Sequence, residues 1–228
     1  MKKTFDAIIL CGGYGKRLRP YTLNTPKPLL KVNNKPFIYF LIKQLLRINV
    51  ENIIIATGYK CKQFIIFKKN FFNSNFKVKI INSGNVDIIT RLQDSCKFVK
   101  NDFFVCYGDT YVDLNFSKYI SFFLKNKIFS SVIGTYYQIK YGLFKFNRSN
   151  KMIEKFMEKP IIKDPINLGY FIFNKKLIKD INKSRTWTIF LKKLIKRKKI
   201  KSFVIPKVKH FTFDTPQEYF DIKSNIIK

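Results

Sequence analysis

The sequence predicts an α/β fold: a doubly wound, predominantly parallel sheet with a small antiparallel extension. Three observations lead there. Short, largely apolar runs recur at residues 5–10, 52–57 and 103–107, as in strands buried on both faces. Segments with apolar residues at helical spacing lie between them. A glycine-rich stretch, residues 11–19, follows the first run directly, where a Rossmann-like sheet places a ligand loop.

Residues 5–10 read as the first strand. Residues 35–47 carry Ile38, Leu41, Ile42, Leu45 and Leu46 at helical spacing. NIIIAT, residues 52–57, is a second strand, and Gly58 and Tyr59 turn into a helix ending near residue 67. Residues 77–81 and FFVCY, 103–107, are the next strands, the latter ending at Gly108 and Asp109. Strand–helix–strand alternation implies right-handed parallel crossovers, so the loops after strand ends share one edge. The glycine loop and Asp109 fall on that edge.

The second half changes character. Residues 132–137, 143–146, 152–156 and 170–173 read as short strands with antiparallel pairing, forming an extension. Residues 187–197 form an amphipathic helix with Trp187, Phe190, Leu191 and Leu194 on one side. Residues 202–205 and 210–213 are late strands, the latter ending at Asp214, and Pro216 opens a final helix over 217–226. With no internal repeat and no long linker, the 228 residues are expected to form one domain, with no further C-terminal domain.

The formal charge is +31, from 45 basic and 14 acidic residues, which points toward a polyanionic partner. Lys, Asn, Ile and Phe are abundant together, as AT-rich coding produces, so much of the lysine excess reads as a solvated compositional surface. Cys11, Cys61, Cys96 and Cys106 form no CxxC pair, and one histidine accompanies them, which argues against a zinc site. The apolar run at residues 7–10 is too short for a signal peptide, and no stretch reaches the roughly 18 apolar residues of a membrane span. A cytoplasmic protein without a transmembrane segment is expected.

The loop after the first strand, GGYGKRLRPYTLNTPKPL, carries the chemistry. Glycines let backbone amides approach phosphate oxygens. The segment matches neither GxxxxGKS nor GxxxxGKT, and it departs from GxGxxG. Instead Lys16 and Arg17 stand just beyond the last glycine, and Lys27 is held between Pro26 and Pro28. Such cations suit a triphosphate whose leaving group bears several negative charges.

The stretch GGYGKRLRPYTLNTPKPLLKV closely resembles the signature of sugar-1-phosphate nucleotidylyltransferases. The resemblance continues through Tyr107, Gly108 and Asp109, through Glu158, Lys159 and Pro160, through Asn167, Leu168 and Gly169, and to Asp214. It implies that residues 1–125 mainly bind nucleotide, while residues 126–228 mainly bind sugar phosphate and close the fold. It implies nucleotide contacts from Leu10, Gly12, Gly13, Gly15, Lys16, Arg17 and Gly108. Arg17, Lys27 and Asp109 would be catalytic, and Asp109 and Asp214 would bind Mg²⁺. Lys27, Glu158, Lys159, Asn167 and Gly169 would hold the sugar phosphate. The partners implied are a nucleoside triphosphate and a sugar 1-phosphate; a homodimer is compatible with the sequence.

The base-binding region, INSGNVDIITRLQ, departs from the common pattern of that family. Ser83, Gly84, Thr90 and Arg91 look like a shortened version of the segment in members that make CDP-glucose, and Tyr107-Gly108-Asp109 resembles that branch too. CMP transfer from CTP is therefore the leading expectation, with Arg91 meeting cytosine or phosphate. GTP with a heptose 1-phosphate is an alternative, because compact members make GDP-heptose. A non-sugar acceptor such as phosphocholine is another. A rival class rests on KKLIKRKKIK, residues 192–201, seven of whose ten residues are basic. No nucleic-acid-binding signature accompanies it, so no specific nucleic acid is expected. Leu194 and Ile195 are expected to anchor that segment. His210 reads as structural.

Overall fold

The computed structural model describes residues 3–72 and 77–225; Ile226, assigned above to the last helix, lies outside them. A seven-stranded sheet runs through the middle. Its strands are β1 (Phe5–Cys11), β4 (Val50–Thr57), β5 (Lys77–Asn82), β6 (Phe103–Tyr107), β8 (Ser130–Thr135), β11 (Ile166–Phe173) and β12 (Ile200–Ile205). Their order is β12-β8-β11-β6-β1-β4-β5, and only β11 runs antiparallel to its neighbours. The sheet is continuous across residue 125, with strands from both halves of the chain.

Helices cover both faces, as a parallel sheet requires. α1 (Phe37–Leu46), α2 (Cys61–Phe71), α4 (Phe116–Lys125) and α7 (Pro216–Asn225) lie on one side, over Phe5, Ala7 and Ile9 of β1. α3 (Ile88–Cys96), α5 (Ile178–Asn182) and α6 (Trp187–Lys196) lie on the other, over Ile8, Ile54 and Val105. The alternation within β1 thus sends successive side chains into two cores.

Small ribbons complete the fold: β2 (Lys31–Val32) with β3 (Lys35–Pro36), β7 (Thr110–Val112) with β13 (His210–Thr212), and β9 (Leu143–Phe146) with β10 (Ile153–Met157). Two expectations are corrected. Residues 132–135 and 170–173 do not belong to the extension; they lie in β8 and β11, which pair antiparallel as expected but are interior strands of the main sheet, flanked by partners on both sides, and Tyr136 and Tyr137 fall beyond the end of β8. Among the described residues only β9 and β10 form an extension. α1 also starts at Phe37 rather than residue 35, because Lys35 and Pro36 pair with β2. In the basic segment Leu194 is buried and Ile200 packs against the same core; Ile195 is exposed, and Lys193 and Arg197 both reach Asp180 at 3.0 Å.

Candidate active site

Strand order reverses between β1 and β6: β4 and β5 follow β1 on one side, whereas β6 lies on the other. Such a switch point leaves a crevice beyond the carboxyl ends of the strands. The loop after β1 and the loop after β6 flank it. Gly108 lets them meet, since a Cβ there would overlap the Cys11 sulfur and crowd the Leu10 carbonyl. Gly15 adopts φ +62, a left-handed conformation that favours glycine, and a short helical turn then presents Lys16 and Arg17. Thr22 donates to the Gly15 carbonyl at 2.8 Å and fixes this bend.

Lys27 is buried, and its proline neighbours restrict the backbone on both sides. Its ammonium donates to Asp109 Oδ2 at 2.6 Å and to Asp214 Oδ1 at 2.7 Å, 5.3 Å from the Phe213 ring centroid. Arg17 Nη2 approaches the same Asp214 oxygen at 2.9 Å. A local device brings the carboxylates together across 105 residues: β7 begins just after Asp109, β13 ends just before Asp214, and Thr110 pairs with Thr212.

Asp214 does not cap α7. Thr215 Oγ1 accepts from the Glu218 amide at 3.3 Å, and Glu218 Oε2 accepts from the Asp214 and Thr215 amides at 2.8 and 3.1 Å. This capping box satisfies the helix start and leaves the Asp214 carboxylate to the cluster. Burial alone would raise the Asp214 carboxyl; the Lys27 ammonium and Arg17 guanidinium outweigh it and hold the group below its ordinary value. Burial, followed by the Asp109 charge, pushes the Cys11 thiol well up, so no thiolate is available there at neutral pH.

A cavity of about 250 Å³ opens over this cluster and touches Leu10, Gly13, Gly15, Lys16, Arg17 and Lys27. Asn167 and Gly169 of β11 do not line it: Gly169, at φ +75, lies against the Tyr107 ring, and Asn167 Oδ1 accepts from its amide at 2.7 Å. Glu158 and Lys159 are not gathered here. Both are exposed at the base of the β9–β10 ribbon, 3.9 Å from one another.

Arg91 requires a correction. Its side chain does not offer itself to a base or a phosphate. The residue is only 4% exposed, and its guanidinium donates to the carbonyls of Thr57, Gly84 at 3.0 Å and Val86 at 3.1 Å. A Cβ on Gly12 would overlap the guanidinium, so Gly12 serves this packing. Arg91 therefore ties the glycine loop, the end of β4 and the 83–86 loop into one floor. Ser83 and Gly84 lie in that loop, and Thr90 lies in the first turn of α3, where its amide donates to the capping Asp87 at 2.9 Å. Sequence reading also missed Tyr59, whose hydroxyl donates to the Thr22 and Leu23 carbonyls at 3.0 and 2.9 Å and holds the far side of the loop. His210 sits in β13 with Nδ1 3.2 Å from the Val208 carbonyl.

Among the described residues no group of three or more His, Cys, Asp or Glu side chains could hold a metal. A magnesium ion needs fewer protein ligands, since it keeps waters and shares substrate phosphates. Asp109 and Asp214 fit that role: their oxygens already converge on one cation, the Lys27 ammonium. No described helix is long and apolar enough to cross a membrane.

Fold and site are those of a doubly wound α/β protein with a cationic, glycine-rich loop and paired carboxylates at its switch point. The chain belongs to the nucleotidyl transferase family, whose profile matches residues 6–203. It is 30% identical over 180 residues to a mannose-1-phosphate guanyltransferase of Yarrowia lipolytica, covering 75% of this chain and 50% of that protein. It is 35% identical over 120 residues to a D-glycero-alpha-D-manno-heptose 1-phosphate guanylyltransferase of Campylobacter jejuni, covering 50% of this chain and 51% of that one. The chain thus spans about half the length of these curated relatives. Among solved structures, HddC from Yersinia pseudotuberculosis superposes with a TM-score of 0.74 at 27% identity, covering 97% of this chain and 99% of that one. HddC has also been crystallised with GMP-PN.

Proposed function

We propose that the chain transfers a nucleotidyl group from a nucleoside triphosphate to a sugar 1-phosphate, releasing pyrophosphate. The observation that carries this reading is the cluster of Arg17, Lys27, Asp109 and Asp214 beneath the glycine loop. In the reaction a phosphate oxygen of the acceptor attacks the α-phosphorus. The new P–O bond forms as the bond to the β-phosphate oxygen breaks, and pyrophosphate leaves on the opposite side. The nucleophile is already anionic, so no general base is needed. The barrier lies in bringing anions together and neutralising the charge of the transition state.

Each residue then has a task. The amides of Gly13 and Gly15 face the triphosphate. Lys16 and Arg17 balance the departing pyrophosphate. Lys27, rigid between its prolines, bridges the α-phosphate and the acceptor phosphate. Glu158 and Lys159 reach the acceptor from the ribbon. Asp109 and Asp214 would hold Mg²⁺, which would supply further neutralisation of the phosphates.

GTP is the donor best supported, with a mannose-type hexose or heptose 1-phosphate as acceptor, because the relatives carry guanylyl-transfer names and HddC takes GMP-PN. CTP remains a second reading, favoured by Tyr107-Gly108-Asp109 and by Thr90-Arg91-Leu92. Burial of Arg91 removes the base contact on which that reading leaned most. The test is pyrophosphate release with Mg²⁺, crossing GTP, CTP, UTP, dTTP and ATP with mannose, glucose and heptose 1-phosphates and phosphocholine. Release only with GTP and a mannose-type acceptor is expected. Release with CTP alone would overturn the donor assignment, and silence across the grid would overturn the reaction.

A further inference from the structure

β5 ends the main sheet on one side, and among the described residues no strand pairs with its outer edge. Nothing blunts this edge. Its sequence, KVKIIN, contains no proline, and its register with β4 runs from Asn52↔Lys77 to Thr57↔Asn82 without a bulge. A cavity of about 660 Å³ runs around the same edge and takes its walls from both faces of the sheet. On the α2 face, Val78 and Ile80 of β5 stand with Ile65 of α2, and Lys68 adds a cation there. On the α3 face, Lys77 and Lys79 stand with Lys97, Phe98 and Lys100, and the Lys79 ammonium lies 3.4 Å from the Phe98 ring centroid. Alternation along β5 makes this division, since Val78 belongs to one core and its neighbours at 77 and 79 point to the other face. One wall is thus mainly apolar and the other cationic. Of the five lysines only Lys97 has a carboxylate partner among the described residues, Asp94 at 3.1 Å. From residue 52 to residue 86 the chain carries six lysines and no acidic residue.

We infer that this border is a docking site for an extended, acidic segment of a partner protein, which adds to β5 as an eighth strand. Strand addition draws affinity from backbone hydrogen bonds and specificity from alternate side chains. Here the two walls set the alternation. Carboxylates belong on the side of Lys77, Lys79, Lys97 and Lys100, and apolar side chains on the side of Ile65, Val78 and Ile80. The six residues of β5, at about 3.3 Å each, give a contact roughly 20 Å long. Lysines on an edge strand ordinarily bar pairing, because a second copy of the strand would set like charges opposite one another. That bar holds against this chain itself and becomes attraction for an acidic strand, so the same residues exclude one partner and select another. The bar needs only Lys77 and Lys79. It accounts neither for Lys97 and Lys100 beside them nor for the open apolar surface of Ile65 and Phe98, 45% and 37% exposed.

Fluorescence anisotropy tests this with a labelled octapeptide of alternating Glu and Val, titrated with the full chain at about 150 mM salt. The control is the same peptide N-methylated at every residue, which keeps the charges and removes every backbone donor. The parent peptide is expected to bind at least ~10-fold tighter than the control, about 1.4 kcal/mol, and to slow hydrogen exchange at the amides of residues 77–82. Lys77→Glu with Lys79→Glu should weaken it at least ~10-fold at an unchanged circular dichroism spectrum. Lys97→Glu with Lys100→Glu serves as an independent second variant. Lys192→Glu with Lys196→Glu makes the same change of charge on α6 and should leave the affinity within about twofold. No binding of the parent peptide would overturn the inference. So would equal binding of both peptides, equal loss in all three variants, or binding that leaves exchange in β5 unchanged, each of which reduces the border to a general polyanion surface. A single-stranded oligonucleotide of the same charge that protects β5 equally would assign the border to nucleic acid instead. These readouts involve no catalysis, so they stand or fall apart from the proposed reaction.

Discussion

Lys27→Met separates a catalytic lysine from a structural one. The ammonium makes two contacts, of 2.6 and 2.7 Å, to carboxylates whose side chains are 33% and 37% exposed. Removing one partner of a fully buried pair costs about 3–5 kcal/mol. Here both carboxylates can rehydrate, and Arg17 remains 2.9 Å from Asp214, so the loss falls toward the ~1 kcal/mol of an exposed pair. An expected cost of about 1–2 kcal/mol lowers Tm by roughly 2–8 °C for a domain of this size. Turnover should fall far more. Deleting one preorganised donor to a developing anionic centre costs about 10²–10³-fold, or roughly 2.7–4 kcal/mol. Thermal unfolding and pyrophosphate release, measured with the donor and acceptor the wild type uses, give both quantities. Turnover within about threefold of wild type would refute the bridging role. So would a Tm collapse large enough to account for the lost activity by unfolding.

Arg91→Met should destabilise more than Lys27→Met, because the carbonyls of Thr57, Gly84 and Val86 lose a buried charged donor; about 2–4 kcal/mol in urea unfolding is expected, and unchanged stability would dismiss the floor it is said to tie. Glu158→Ala should raise the acceptor KM about tenfold, a change of roughly 1.4 kcal/mol, and leave nucleotide affinity alone; calorimetry showing the reverse would reject the map of the pocket. The Asp214 carboxyl is held below its ordinary value, so the unfolded chain takes up that proton first as pH falls. Its contribution is full above about pH 4 and is lost as pH drops through the folded value. Wild type should therefore lose stability more steeply below pH 4 than Arg17→Ala, and parallel acid limbs would contradict the Arg17 contact.

The parts legible in the sequence were local. Apolar runs marked β1, β4 and β6, and the glycine loop with its proline-flanked lysine marked the site, because both signals lie within a few residues. α4 was missed although Asn115 stands at its N-cap and Phe116, Tyr119 and Phe123 fall on one buried face. The Thr215-x-x-Glu218 capping box was also visible and marks the start of α7. Arg91 was a different case. Its burial depends on two segments closing over it from elsewhere in the chain, with Gly12 leaving room for the guanidinium, and no spacing within α3 encodes that. Strands β8 and β11 were misplaced for a similar reason: short apolar runs say that a strand is buried, not which sheet buries it.

Charge balance in the cluster leads to a last prediction. Lys27 and Arg17 bring two positive charges, Asp109 and Asp214 two negative ones, and in the absence of substrate they neutralise each other. A triphosphate therefore meets a site with little net charge to spend on it, despite the +31 of the whole chain. If Lys27 turns to a phosphate, the two carboxylates are left facing the same anion, which is unfavourable unless another cation takes the place the ammonium held. Lys16 cannot do this alone, since among the described residues no second ammonium contacts both aspartates. Nucleotide binding should thus depend on a divalent ion before any chemistry occurs. Calorimetry with GTP in EDTA is expected to show affinity at least about tenfold weaker than in Mg²⁺, a difference of roughly 1.4 kcal/mol, and Asp109→Asn should shrink that difference. Equal affinity in both buffers would mean that Arg17 and Lys16 suffice, and that the paired aspartates serve only to hold Lys27.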